Sequence, residues 1–393
     1  MSRSIAVCLL ALAGACASTV LASAQATSSP TENSTQGNSS PVAFVYVSNS
    51  PTSGTGQING YTAAANGALT PIPGSPFQHN DSYMAVNGAY LFANENNQNA
   101  SQVDSFSIAS NGALTLRETK LLESMPGMIS IYLDHTGSTL YADYYTTNND
   151  YLQYTIDQSN GELNYLGDLA GGPANNSPVS FIGNNVFAYS SSCYQFTPEV
   201  IGVHRARVGS LSYISNFNAP FPTTKNAGFY CPWLAAADPT NHLAIAMQPL
   251  NSNWVPTGPY QLATYTADSS GNLTTTSTYS NMPFTEAGGK AGTYNSYLND
   301  YWMSPAGNLL AVAGSSGLQV FHFNGANPIT KYTGLLTKDD VDQVFWDNAN
   351  HLYAIGRAAG ELWVFTVTPT EVIQAPGSPY SIPGAENLIV LPK

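Results

Sequence analysis

One phrase returns seven times along this chain: a short apolar strand, a second alternating strand, then a Gly-containing turn into Leu, Ile or Val. It is plainest in Phe44-Val45-Tyr46-Val47, Ile58-Asn59-Gly60-Tyr61 and Asn66-Gly67-Ala68-Leu69. It recurs as Tyr90-Leu91-Phe92-Ala93, Val103-Asp104-Ser105-Phe106 and Asn111-Gly112-Ala113-Leu114. A multi-strand unit of this period must cover its faces with copies of itself. The pattern therefore predicts an all-β, seven-bladed β-propeller.

The third unit shows the plan, four strands A to D from the inside outward. Strand A is Met128 to Leu133, the turn is Asp134-His135-Thr136-Gly137, and strand B is Thr139 to Asp143. Strand C is Leu152 to Ile156, and Asn160-Gly161 turns the chain into strand D at Leu163. Asn-Gly is a strong hairpin signal because both residues tolerate positive φ. The D-strand marker falls at Leu69, Leu114, Leu163, Leu211, Leu273, Ile329 and Val372. The longest step, Leu211 to Leu273, holds an insertion from Gln248 to Pro259 between strands B and C of the fifth unit. The first unit opens at its B strand, Ala43 to Val47, and the missing A strand stands at the other terminus as Asn387 to Leu391. Pairing the two would close the ring and remove an open edge. Two packed sandwiches are the competing architecture; they do not explain this exchange.

The Leu-Tyr-Val-type B strand, the alternating C strand, Asn-Gly-Ala-Leu-Thr and Pro73-Gly74-Ser75-Pro76-Phe77 resemble bacterial seven-bladed propellers of the lactonase (6-phosphogluconolactonase-like) family. That family is similar to exported propellers with Tyr-Val-Thr-Asn-type repeats. Gly377-Ser378-Pro379-Tyr380 repeats the Gly-Ser-Pro-aromatic element in the last unit. The resemblance covers residues 42–392 and rests on structural motifs. Where the family carries His and Arg motifs, the chain reads Ser124-Met125-Pro126-Gly127, Asn176-Ser177-Pro178 and Tyr230-Cys231-Pro232-Trp233, so no catalytic residue transfers. A WD-repeat reading has only the single Trp346-Asp347.

The N-terminus carries Arg3, an apolar run from Ile5 to Leu21, and small residues at Ala22-Ser23-Ala24. This predicts a secretory signal over 1–24, a polar disordered tether over 25–41 and a propeller over 42–393. Cys16 raises a lipid anchor as the lesser alternative. The expected location is secreted or periplasmic, with no later stretch able to span a bilayer as a helix. The mature chain keeps Cys193 and Cys231. Export favours a disulfide between them, and two separately buried thiols are the alternative. Charged residues are 9% of the chain and the net charge is −13. Such an acidic chain without a basic run lacks the footprint for nucleic acid or anionic membrane. A monomer is expected.

In such blades the B–C loops and D–A connections share one face, and the B–C loops here are long and irregular. The channel mouth on that face is the default pocket. For a lactone hydrolase, Asp342 or His79 would be the base, with Lys338, Lys290 or Arg357 as the positive partner for the oxyanion. Tyr83, Tyr230, Trp233, Tyr297 and Trp302 are the candidate ligand-binding aromatics beside Tyr294 and Tyr301. The competing role for these rings is packing between blades. Asp339-Asp340 also reads as a solvated turn, His79 as an exposed loop residue, and His135, His242 and His351 as turn residues. No zinc pattern is present. No cofactor is expected; calcium held by Asp339, Asp340 or Asp342 with backbone carbonyls is the lesser alternative. Two functions follow: an exported binding or interaction propeller for a small molecule, glycan or protein, and a hydrolase of a non-phosphorylated lactone. The first is favoured, because no convergent acid–base set is legible.

Overall fold

The computed structural model describes residues 40–49, 56–80, 82–97, 100–122, 128–144, 151–169, 179–193, 198–214, 219–225, 228–289 and 297–393. The expected signal segment and nearly all of the expected tether lie outside them. Among the described residues, thirty strands form seven antiparallel sheets.

Blade 1 contains β1 (Ala43–Asn49), β2 (Gln57–Ala63), β3 (Leu69–Pro71) and β4 (Phe77–Gln78). Blade 2 is β5 (Met84–Val86), β6 (Tyr90–Asn97), β7 (Ala100–Ile108) and β8 (Leu114–Leu121). Blade 3 is β9 (Met128–Leu133), β10 (Thr139–Tyr144), β11 (Tyr151–Ile156) and β12 (Leu163–Leu169). Blade 4 is β13 (Ser180–Phe181), β14 (Phe187–Ser192), β15 (Glu199–Arg205) and β16 (Leu211–Tyr213). Blade 5 is β17 (Gly228–Ala237), β18 (His242–Asn251), β19 (Gln261–Ala267) and β20 (Leu273–Thr274). Blade 6 is β21 (Leu298–Met303), β22 (Leu309–Gly314), β23 (Gly317–Asn324) and β24 (Asn327–Lys331). Blade 7 is β25 (Gln343–Trp346), β26 (His351–Gly356), β27 (Glu361–Val367), β28 (Val372–Gln374) and β29 (Tyr380–Ser381). The closing strand β30 (Ala385–Pro392) pairs antiparallel with β1, Phe44 opposite Leu391 and Tyr46 opposite Ile389. The fold is the expected seven-bladed propeller, closed as the termini predict.

Each blade is covered on both faces, which explains why the B strands are continuous apolar runs and not alternating ones. Every residue of β1, β22 and β26 is buried, whereas the outer strand β8 is mostly exposed. Seven buried clusters result, one in each wedge between neighbouring blades. Those wedges hold the ring together, since burying one Leu or Phe side chain contributes about 1.5–3 kcal/mol.

Two local devices recur. At the Gly-Ser-Pro elements the outer strand breaks and resumes as β4 or β29. There Ser75 Oγ accepts the Gly60 N–H at 2.8 Å and Ser378 Oγ accepts the Val364 N–H at 2.9 Å. At the A–B turns a carboxylate ties the turn: Asp238 Oδ1 accepts the Thr240 and His242 amides, and Asp347 Oδ1 those of Ala349 and His351. The rings of His242 and His351 then return to the same carboxylates at 3.2 and 2.7 Å. These two histidines are turn residues.

In blade 5 the β17–β18 hairpin extends until Gly228 faces Asn251, which absorbs the first part of the insertion. Cys193, just after β14, and Cys231, in β17, form a disulfide between blades 4 and 5 with Cα atoms 5.4 Å apart. Among the described residues no helix is long and apolar enough to cross a membrane.

Candidate functional site

The A strands surround the channel, and polar side chains clasp one to the next. Asp300 Oδ2 in β21 accepts the Val344 N–H of β25 at 2.8 Å. Gln343 Oε1 accepts the Leu388 N–H of β30 at 2.8 Å, and Asn387 Oδ1 accepts the Met84 N–H of β5 at 2.9 Å. Inner strands have no further strand to pair with, so these side chains satisfy amides that the ladder leaves over.

The densest polar chemistry lies where the chain enters β25. Asn299 Nδ2 donates to Asp340 Oδ1 at 2.7 Å and to the Val341 carbonyl at 2.8 Å. The Tyr297 hydroxyl lies 3.4 Å from Asp340 Oδ2, and that carboxylate holds the phenol above its ordinary range. Asp342 accepts the Arg357 backbone N–H at 2.7 Å, with the Arg357 Nε 3.7 Å from its other oxygen. Burial raises the Asp342 carboxyl above its ordinary range. Arg357 opposes the rise through both its amide and its charge, and Asp340 adds to it. Asp300, three residues beyond Tyr297, also accepts its own neighbour's Tyr301 N–H at 2.8 Å. Burial pushes its carboxyl up to about 7, against the two backbone amides and Trp302. Three carboxyls thus border the single segment 340–344, with one guanidinium beside them.

Of the sequence candidates, the structure brings Asp342 and Arg357 together and leaves Lys338 exposed, without an ion pair among the described residues. Lys290 and Tyr294 lie outside the described residues. His79 is elsewhere: its Nδ1 lies 3.3 Å from the buried Asp104 of β7, and its ring stands edge-on to Phe106. It is a half-buried residue of the blade 1–2 wedge and not an exposed loop histidine. Asp339, Asp340 and Asp342 do not converge; among the described residues no group of three or more His, Cys, Asp or Glu could hold a metal ion.

The aromatics divide. Tyr230 is buried, donating to Gln261 Oε1 at 2.5 Å, and Tyr301 is buried in the blade 5–6 wedge. Tyr83 packs half-buried against the blade 2–3 wedge. Trp302 is 40% exposed but sits one residue before the end of β21, toward the A–B turns and the opposite opening, against Phe345. Trp233 and Tyr297 remain on the loop face, each 40% exposed. The Trp233 indole donates to the Leu298 carbonyl at 3.0 Å, which anchors it at the start of β21, one residue after Tyr297. The candidate site is therefore a sector of the mouth spanning blades 5 to 7: Trp233, Tyr297, Asn299, Asp340, Asp342 and Arg357. A second, open cleft of about 480 Å³ is lined by Pro198, Phe221, Pro222, Phe229 and Tyr230, and no carboxylate, histidine, lysine or arginine lines it among the described residues.

Asn299 and Asp300 escaped the sequence reading. The signal was present: an Asn-Asp pair opening an aromatic strand, where both residues are disfavoured.

No model of a known protein family matches the chain, and no curated protein matches it. Solved structures do share its fold. A Lactobacillus plantarum protein superimposes with a TM-score of 0.62 at 13% identity, covering 89% of this chain and 99% of its own. A periplasmic gluconolactonase from Pseudomonas aeruginosa gives 0.61 at 12% identity, covering 89% and 99%. A candidate 6-phosphogluconolactonase from Bacteroides uniformis gives 0.64 at 12%, covering 90% and 100%. At such identity the likeness concerns the fold.

Proposed function

We propose that this chain is an exported lactonase-like hydrolase that opens a non-phosphorylated sugar lactone at the blade 5–7 sector of its channel mouth. The observation that carries the reading is the Asp342–Arg357 pair. A carboxyl raised by burial is a better base toward water than an ordinary Asp, and it lies against a guanidinium that is 44% exposed. In this reading Asp342 takes a proton from water as the oxygen attacks the lactone carbonyl, and Arg357 stabilises the oxyanion. The ring C–O bond then breaks to give the hydroxy acid. Trp233 and Tyr297 offer flat faces for a sugar ring, and Asn299 supplies a polar edge. Three aspartates at 339, 340 and 342 in a chain of net charge −13 are a poor setting for a phosphate, which argues for the unphosphorylated substrate. The periplasmic gluconolactonase among the fold neighbours is consistent with both the chemistry and the export, and so is the disulfide.

A second reading, binding of a glycan, small molecule or protein without turnover, is favoured by the two exposed rings at the mouth. The discriminating assay is hydrolysis of sugar and aliphatic lactones by the purified protein, followed by acid release above the buffer rate. Turnover lost in Asp342→Asn and Arg357→Ala supports the hydrolase. Absence of turnover, with glycan binding weakened by Tyr297→Ala, would leave the binding reading.

A further inference from the structure

The clasp linking β21 to β25 differs from the two that follow it around the channel, β25 to β30 and β30 to β5. Gln343 and Asn387 perform the task with neutral amides, each offering one carbonyl oxygen to the amide of the next inner strand. Blade 6 uses a carboxyl for the same bond. A carboxylate in a desolvated wall costs far more than an amide, so the clasp alone does not account for an acid at this position. Asp300 is a half-buried residue whose carboxyl is desolvated in the wall. Its bonded partner Val344 lies two residues along the chain from Asp342, a spacing of about 7 Å in an extended strand. A lactone ring seated against Asp342 would lie over the same short segment that Asp300 clasps.

We propose that Asp300 is the general acid of the site, donating a proton to the ring oxygen as the lactone C–O bond breaks. This rests on the hydrolase reading above. Asp342 removes one proton from the attacking water, the acyl C–O bond gives its electron pair to the departing alkoxide, and Asp300 protonates that oxygen. Solvent in the channel then reprotonates Asp300, and Asp342 returns its proton to solvent, so charge and atoms balance over the cycle. Two carboxyls from adjacent inner strands, Asp300 on β21 and Asp342 at the approach to β25, thus divide the roles of base and acid by environment. The carboxyl's elevation to about 7 keeps a proton on it near neutrality. The strands packed against β21 are β17, β22 and β25: β17 carries Tyr230, β22 and β25 carry no titratable side chain, β21 itself carries Tyr301, and Asp340 and Asp342, the latter paired with Arg357, precede β25. Burial is what raises the Asp300 carboxyl, before any neighbour.

The test is the pH–rate profile of the full-length protein on D-glucono-1,5-lactone, compared with Asp300→Asn and Asp300→Glu. The expected wild-type profile is a bell whose alkaline limb falls through about pH 7. Asp300→Asn, which keeps one acceptor oxygen for the Val344 amide, should lower kcat about 100-fold or more with little change in KM. It should also lose the alkaline limb, and Asp300→Glu should retain it at a shifted position. A folded Asp300→Asn enzyme with wild-type kcat and an intact alkaline limb would overturn the assignment and leave the hydrolase reading standing. A wild-type rate that is flat between pH 6 and 9 overturns it without any variant. A wild-type protein that turns over no lactone overturns both.

Discussion

The phenol of Tyr46, on β1 in blade 1, donates to the carbonyl of Gly112 in blade 2 at 2.7 Å, across 66 residues of chain. Tyr141 and Gly209 repeat the bond between blades 3 and 4 at 2.6 Å, and Tyr189 and Gly271 between blades 4 and 5 at 2.8 Å. Burial pushes all three phenols up, Tyr141 to about 12, so they remain donors at any physiological pH. The Tyr of the repeated B strand and the Gly of the repeated C–D turn are the two halves of an inter-blade rivet.

Removing either half should destabilise the ring. Tyr46→Phe leaves a buried carbonyl unpaired, at a cost of about 1–2 kcal/mol. Gly112→Ala should cost more. Its φ is +87° and an added Cβ would stand 2.6 Å from Ile72 Cδ1 and 3.0 Å from the Phe44 ring. Urea midpoints of the two variants check this; a Tyr46→Phe midpoint equal to wild type would show that the bond contributes nothing net.

The disulfide closes a separation of 38 residues. By the chain-entropy model its loss should cost about 4 kcal/mol. The Cys193→Ser/Cys231→Ser double variant should therefore melt lower than wild type, and adding reductant should lower the wild-type midpoint without moving that of the variant. A midpoint indifferent to reductant in the wild type would contradict this.

Ring closure is equally open to test. Ending the chain at Gly384 deletes β30, which faces β1 from Ala43 to Asn49 and buries Leu388 and Val390 in the blade 7–1 wedge. The exposed β1 edge and opened wedge should give a chain that aggregates or melts without cooperativity. Light scattering with thermal melting reads the result, and a sharp wild-type-like transition would mean the closure is dispensable.

The sequence made the fold legible because its signals are local and repeated. Leu69, Leu114, Leu163, Leu211, Leu273 and Val372 each begin a D strand as read from the turns, and the unpaired ends at Ala43 and Leu391 meet. Orientation was harder to read. Strands covered on both faces show no alternation, so nothing in the pattern distinguishes a buried Tyr230 or Tyr301 from an exposed Tyr297. Trp302 was misplaced for a metric reason: at about 3.3 Å per residue, four positions along β21 move it roughly 13 Å from the loop face. The pairing of His79 with Asp104, and the choice of Arg357 over Lys338 beside Asp342, depend on contacts between distant segments that spacing does not encode.

Asp300 also links stability to pH, whatever its role in chemistry. Its carboxyl is raised from the ordinary 3.8 to about 7, so between about pH 4 and 7 the folded state holds a proton that the unfolded state has released. Stability should therefore fall as pH rises through that window and level off above it, as far as this group is concerned. Asp300→Asn removes the titrating charge, and its amide leaves one of the two N–H donors without an acceptor, which is a pH-independent offset. The stability of wild type relative to this variant should therefore fall by at least about 1 kcal/mol between pH 5 and pH 8, since a tenfold difference in proton affinity between the two states is worth about 1.4 kcal/mol. Urea unfolding of both proteins at pH 5, 6, 7 and 8 measures the difference. A gap that stays constant across that range would mean the carboxyl does not titrate near neutrality, and it would remove the proton that the acid assignment requires.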